Sequence, residues 1–172
     1  MSWLFRDKTI DMETIDEIER QADRGAAIIS CGYLEEFLLT AIKSVLVDDE
    51  KAIKRMFTGM GPLATFSANV ETAYLLQIIT KDTVQSLHQI GGIRNDFAHK
   101  LQALTFDTPD IKNRCKELLW AEQVKEFWKQ STVTFKENPE ALELINKLFV
   151  PMFVLPDTPR NAYLNSIKVL IF

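Results

Sequence analysis

Cysteine, histidine, glycine and proline are all scarce in this chain: two, two, six and six among 172 residues. Cys31 and Cys115 lie far apart in sequence and form no CxxC pair, which excludes a disulfide framework and a thiolate metal cluster. Both fall in helical, apolar surroundings and are expected as buried free thiols. His88 and His99, if they share a helix, stand about 16 Å apart along its axis, too far to share a metal ion. No metal and no cofactor are expected. The low glycine and proline content excludes long disordered or low-complexity tracts. No uninterrupted apolar run approaches the ~18 residues of a membrane span. The opening MSWLFRDKTIDM is broken by Arg6, Asp7 and Lys8 and has no signal-peptide core. These absences lead us to expect a cytoplasmic protein.

What is present is an ordinary globular composition, 47% apolar and 26% charged, with a net charge of -4. The length suits one domain over 1–172 and is enough to bury a core. The acidic balance argues against a protein that grips duplex DNA across a broad surface, because phosphate contacts need concentrated Lys and Arg. Net charge leaves room for a local basic patch. Lys112, Arg114 and Lys116 form a small one, read here as a solvated helix face.

Periodicity gives helix after helix. Residues 11–46 read as helix, broken near Gly25, with the stripe Ala27, Cys31, Leu34, Leu38, Ile42, Val45. Ile28, Ile29, Phe37, Leu39 and Ala41 widen that stripe, as in a helix at the centre of a bundle. A short helix at 51–57 precedes the loop TGMGPLATFS. Helix over 66–80 follows, with Thr65 or Ser67 as N-cap and a core side of Val70, Ala73, Tyr74, Gln77 and Ile78 or a close rotation of it. Asp82 is the expected N-cap of a helix running to about Lys100. Pro109 begins another, to about Lys129, and Asn138 with Pro139 signals one more. STVTF and KVLIF could each make a short strand, yet nothing alternates for long. The expected fold is all-α: an antiparallel helical bundle with a C-terminal helical extension. Its apolar tail must dock on its own bundle or on a partner subunit.

A DNA-reading helix-turn-helix is sought between the 51–57 helix and the helix from Phe66. The connection is too long for the usual turn. Moreover, no Lys or Arg occurs between Arg55 and Lys81. A recognition helix without a basic residue has little with which to hold phosphates or guanines.

The segment IGGIRNDFAHKL carries the densest chemistry. Projected at 100° per residue, Leu87, Ile90, Arg94, Phe97, Ala98 and Leu101 fall on one side. Arg94 therefore lies within the apolar stripe, and a buried guanidinium needs a carboxylate. Glu35 shows the matching anomaly beside Cys31, Leu38, Leu39 and Ile42. A structural Glu35–Arg94 ion pair is expected, with Glu36 as the alternative acid. His88, Gly92, Asn95 and His99 make a second stripe, in which Asn95 and His99 are i,i+4 neighbours. Gly91 and Gly92 remove bulk one turn earlier and allow close approach of a backbone or a ligand. Two readings stay open. Arg94 is a core strut with Asn95 and His99 as surface groups, or the three act together.

The pattern of Arg94, a polar residue and His99 resembles the signature of HEPN-type domains, which are small helical bundles. In many of these the Arg and His of two subunits meet at a dimer interface and cleave RNA without metal. That resemblance implies Arg94 as phosphate stabiliser, His99 as general acid/base and Asn95 as its orienting neighbour. A longer resemblance rests on three blocks in order: RGAAIISCGYLEEFLLTAI at 24–42, GPLATFSANVETAYLLQII at 61–79 and IRNDFAHKLQALTFDTPDI at 93–111. Together they resemble the MtlR family of mannitol operon repressors and related bacterial regulators. The chain departs from that pattern at Gly91 and Gly92, where a charged residue is expected. This resemblance implies an all-helical negative regulator of transcription and no enzyme. Since the sequence shows no DNA-reading element, repression is expected to work through a protein partner. A directly DNA-binding repressor and a HEPN-like ribonuclease, which needs a homodimer, are the alternatives.

Overall fold

Seven helices make up the regular structure of the described residues in this computed structural model, and no strand occurs among them. The described residues are 12–118, 126 and 157–171. The helices are α1 (Met12–Arg20), α2 (Asp23–Lys43), α3 (Glu50–Phe57), α4 (Phe66–Leu75), α5 (Lys81–His99), α6 (Pro109–Lys116) and α7 (Pro159–Ile171). The expected helix from Asn138, the STVTF segment and the stretch up to Lys129 beyond Leu118 lie outside the described residues. The contacts divide the chain into two compact units, one reaching Gln102 and the other spanning Ala103–Leu170.

In the first unit α2 is the central element, packed against α1, α4 and α5, while α4 and α5 also pack on each other. Its inner side, including Ala27, Cys31, Leu34, Leu38 and Ile42, is buried. At the start of α2, Arg24 Nη2 donates to the carbonyls of Lys100 and Gln102, both at 2.9 Å. These carbonyls follow the end of α5, so α2 and α5 run antiparallel. A guanidinium at that place also complements the negative end of the α5 dipole. By length and composition α2 would pass for a membrane span. Its buried side shows instead the role of a core helix. The widened stripe is not all interior, however. Ile28 and Ile29 are 37% and 39% exposed, and Gly32 stands in open space beside them.

In the second unit Phe106, Ile111, Cys115 and Leu118 are buried, as are residues 162–168 of α7. The Phe106 and Tyr163 rings pack 5.2 Å apart at 44°. The apolar C-terminal segment is thus a helix, not a strand, and its Tyr163 docks within its own unit. Burial of residues 163–168 removes that part of the tail as a surface for a partner. Cys115 is fully enclosed, and burial pushes its thiol up to about 12.

Several boundaries differ from expectation for local reasons. The first break falls at residues 21–22, ahead of Gly25. Thr80, not Asp82, caps α5, accepting from the Thr83 N–H at 3.3 Å. Asp82 lies in the first turn, where its charge faces the positive helix end. α4 stops at Leu75 because Gln77 turns left-handed, with φ 58°, and the Ile78 N–H closes back on the Ala73 carbonyl at 2.8 Å. That turn leaves Tyr74 and Gln77 exposed, and the buried set is Phe66, Asn69, Val70 and Ala73.

Gly32 weakens the middle of α2 and meets no atom that would obstruct a methyl group. Gly32→Ala is expected to raise stability by about 1 kcal/mol, the usual helix-interior difference. Urea unfolding followed by circular dichroism measures it, and an unchanged or lower midpoint contradicts the account.

Candidate functional site

The site begins with two threonine caps. Thr65 Oγ1 accepts the Ala68 N–H at 3.2 Å and fixes the start of α4, as Thr80 does for α5. The left-handed turn at Gln77 then folds α5 back along α4. Opposite Phe66 stands Gly91: a Cβ there would lie 2.9 Å from Cδ1 and Cε1 of the Phe66 ring. Only glycine lets the two helices meet this closely. Here Gly91 serves the approach of a neighbouring helix.

This close approach leaves a cleft of about 560 Å³ beside it. Its walls are Glu35 of α2, residues 64–67 at the start of α4, and His88, Gly91, Gly92, Arg94 and Asn95 of α5. Most of its side chains are polar, with Ala64 and Phe66 the apolar exceptions. Arg94 Nη2 stands 3.9 Å from Glu35 Oε2, with the two side chains 26% and 29% exposed. The geometry departs from a sealed core pair because the buried face of α5 is rotated. Thr83, Leu87, Ile90, Ile93 and Phe97 are buried, whereas Ala98 is exposed and Leu101, past the helix end, is 100% exposed. The rotation moves Arg94 from the centre of the apolar stripe to its edge, where water reaches it through the cleft. Behind it lies the buried Cys31 thiol. Burial pushes this thiol above its ordinary value, opposed by the hydrogen bond and charge of Arg94. A thiol held protonated is a poor nucleophile, and Cys31 serves as packing. Glu36 is exposed and is not the acid that stands beside Arg94.

Asn95 lines the cleft; His99 does not and is exposed in the last turn of α5. The structure therefore gathers Glu35, Arg94 and Asn95 and leaves His99 apart from them. His88 joins the group instead. Its Nε2 lies 2.7 Å from Glu71 Oε1, and its Nδ1 lies 3.5 Å from Ser67 Oγ. The only sequence sign of His88 was its place on the stripe shared with Gly92 and Asn95. Ser67 and Glu71 had no such sign, since their proximity to His88 exists only once α4 and α5 are antiparallel. Among the described residues no three metal-binding side chains come together.

No model of a known protein family and no curated protein matches this sequence. Among solved structures, a chain of the X-ray structure of the MtlR–HPr complex from Escherichia coli is similar, with a TM-score of 0.60 and 15% identity. The match covers 92% of this chain and 94% of that one. At this identity the likeness establishes a shared fold, which extends over nearly the full length of both chains.

Because the Glu35–Arg94 pair is wet and lacks hydrogen-bond distance, removing the acid should cost less than in a sealed core. Glu35→Ala is expected to lower stability by about 1 kcal/mol, the range of a partly screened pair, not the 3–5 of a buried one. Denaturant midpoints at low and high salt check this; a loss of several kcal/mol at both would show the pair to be dry.

Proposed function

We propose that this chain is a cytoplasmic negative regulator of transcription of the mannitol-repressor kind. Residues 1–172 form one domain of that type, which works by binding another protein and not by reading DNA itself. One observation carries this reading. The fold runs end to end with that of a protein whose structure was determined as a complex, MtlR with HPr.

The local structure favours a protein partner over direct DNA contact. Residues 58–65 separate α3 from α4, longer than a helix-turn-helix turn, and α4 carries no basic residue. Ile28 and Ile29 are partly exposed apolar side chains on α2 that a protein partner could cover.

The partner to test is HPr from the organism that encodes this chain. Calorimetric titration of the full chain is expected to give a saturable complex. Replacing Ile28 and Ile29 together by Asp should weaken it at least about tenfold, a loss of about 1.4 kcal/mol. Absence of any complex, with an operator-DNA shift that weakens steeply as salt rises, would instead support a directly DNA-binding repressor.

A second reading, a HEPN-like ribonuclease, is favoured by the placement of Arg94 and Asn95 on an open cleft, with His99 exposed in the next turn. It requires a homodimer that brings His99 to the Arg94 of the other copy. On this reading the chain cleaves single-stranded RNA in the presence of a chelator, and His99→Ala lowers the rate by at least about a hundredfold. RNA left intact by the unaltered chain removes this reading.

A further inference from the structure

Arg94 has few protein partners for a guanidinium mostly withdrawn from water. A guanidinium has five N–H donors. The contact with Glu35, at 3.9 Å, is electrostatic and too long for a hydrogen bond. Arg94 also donates to the Cys31 sulfur, a weak acceptor. Three-quarters of the side chain is nonetheless withdrawn from bulk water, and it stands on the wall of the cleft.

The groups around it also have donors to spare. Asn95 shares the wall one residue on. The Ser67 hydroxyl is held only by a long 3.5 Å contact with His88 Nδ1 and can turn to a ligand, while the His88 Nε2–H is taken by Glu71. The first N–H groups of a helix have no acceptor within it. Thr65 takes those of Ala68 and Asn69, which leaves those of Phe66 and Ser67, also on the cleft, for a solute or water. Against these donors stand two carboxylates. Glu71 is engaged by His88, and Glu35 faces Arg94 without reaching it. The opposing charges of Arg94 and Glu35 make the cleft a poor trap for a bare polyanion. They suit a ligand with one anionic group for the donors and hydroxyls for the Glu35 carboxylate. The volume is that of a small-metabolite pocket.

We propose that the cleft between α2, α4 and α5 binds a small hydroxylated phosphate ester, with Arg94, Asn95 and Ser67 holding the phosphoryl group and Glu35 accepting from a ligand hydroxyl. Binding itself is independent of the regulator reading; only its consequence, a ligand that tunes partner binding, rests on it.

The test uses the full chain, with ionic strength held constant by chloride. Glycerol 3-phosphate and glucose 6-phosphate are titrated by calorimetry and by thermal unfolding, with inorganic phosphate and glycerol as controls. At least one ester is expected to bind with 1:1 saturation and to raise the melting temperature. Inorganic phosphate should bind at least about tenfold more weakly and glycerol not at all. The exposed pair Ser67→Ala and Asn95→Ala should together abolish ester binding without moving the melting temperature of the free protein. Arg94→Gln should do the same to binding, but it also touches the core, so the surface variant decides. The proposal is overturned if neither ester saturates, if inorganic phosphate binds as tightly as both, or if the double variant binds normally. It is equally overturned if an oligoribonucleotide binds in an Asn95-dependent way while the esters do not, which assigns the cleft to RNA. HPr titrated onto the same samples separates the two questions: ester binding without HPr binding keeps the site and removes the regulator reading.

Discussion

The contact of the Phe66 ring with the bare backbone of Gly91 sets the geometry of the first unit. It fixes how near α4 and α5 lie, and the antiparallel register that follows brings Ser67 and Glu71 to His88. A Cβ at Gly91 would meet the ring of Phe66, itself buried, at 2.9 Å, so the ring or the helix would have to shift. The overpacking that results costs ~1–3 kcal/mol in cores of ordinary density. The glycine therefore gives up helix propensity in exchange for proximity, and the cleft is the space left where that proximity ends. Fold and site share this one constraint.

The second determinant is the intermediate burial of Arg94. Full burial would have required a hydrogen-bonded carboxylate, and full exposure would have left the charge screened. At the edge of the apolar stripe it has a counter-charge at 3.9 Å and spare donors. An arrangement of this kind contributes little to stability and leaves a charged group available for recognition.

Much of this architecture was legible in the sequence. The all-α class, the short α3 and the proline at the start of α6 follow from periodicity and capping residues, and Thr65 is one of the two α4 caps the sequence left open. The juxtaposition of Arg94 and Glu35 was legible as well, because each is a charge among apolar neighbours. Its wetness was not. A projection at 100° per residue places Arg94 on the core side, and only the packing of α5 against two helices at once selects Ile93 over Arg94 as the inward residue. The role of His88 was hidden for a related reason: its partners come from α4, and no spacing within one helix reports a neighbour on the next. The early end of α4 was equally illegible, since a glutamine in the left-handed region breaks the local preference that ordinarily marks such a turn.

The clamp of Arg24 on the carbonyls after α5 bears on how the chain is made. Its two partners lie 76 and 78 residues further along. A ribosome adding ~5–20 residues per second needs on the order of several seconds to deliver them after Arg24 has emerged. Throughout that interval the buried inner side of α2 waits without the end of α5. Long-range closure of this sort is slow compared with forming a helix, which takes about a microsecond. The nascent protein thus passes through a stage in which finished helices are present and their assembly is not, and the guanidinium clamp can form only after that stage has ended.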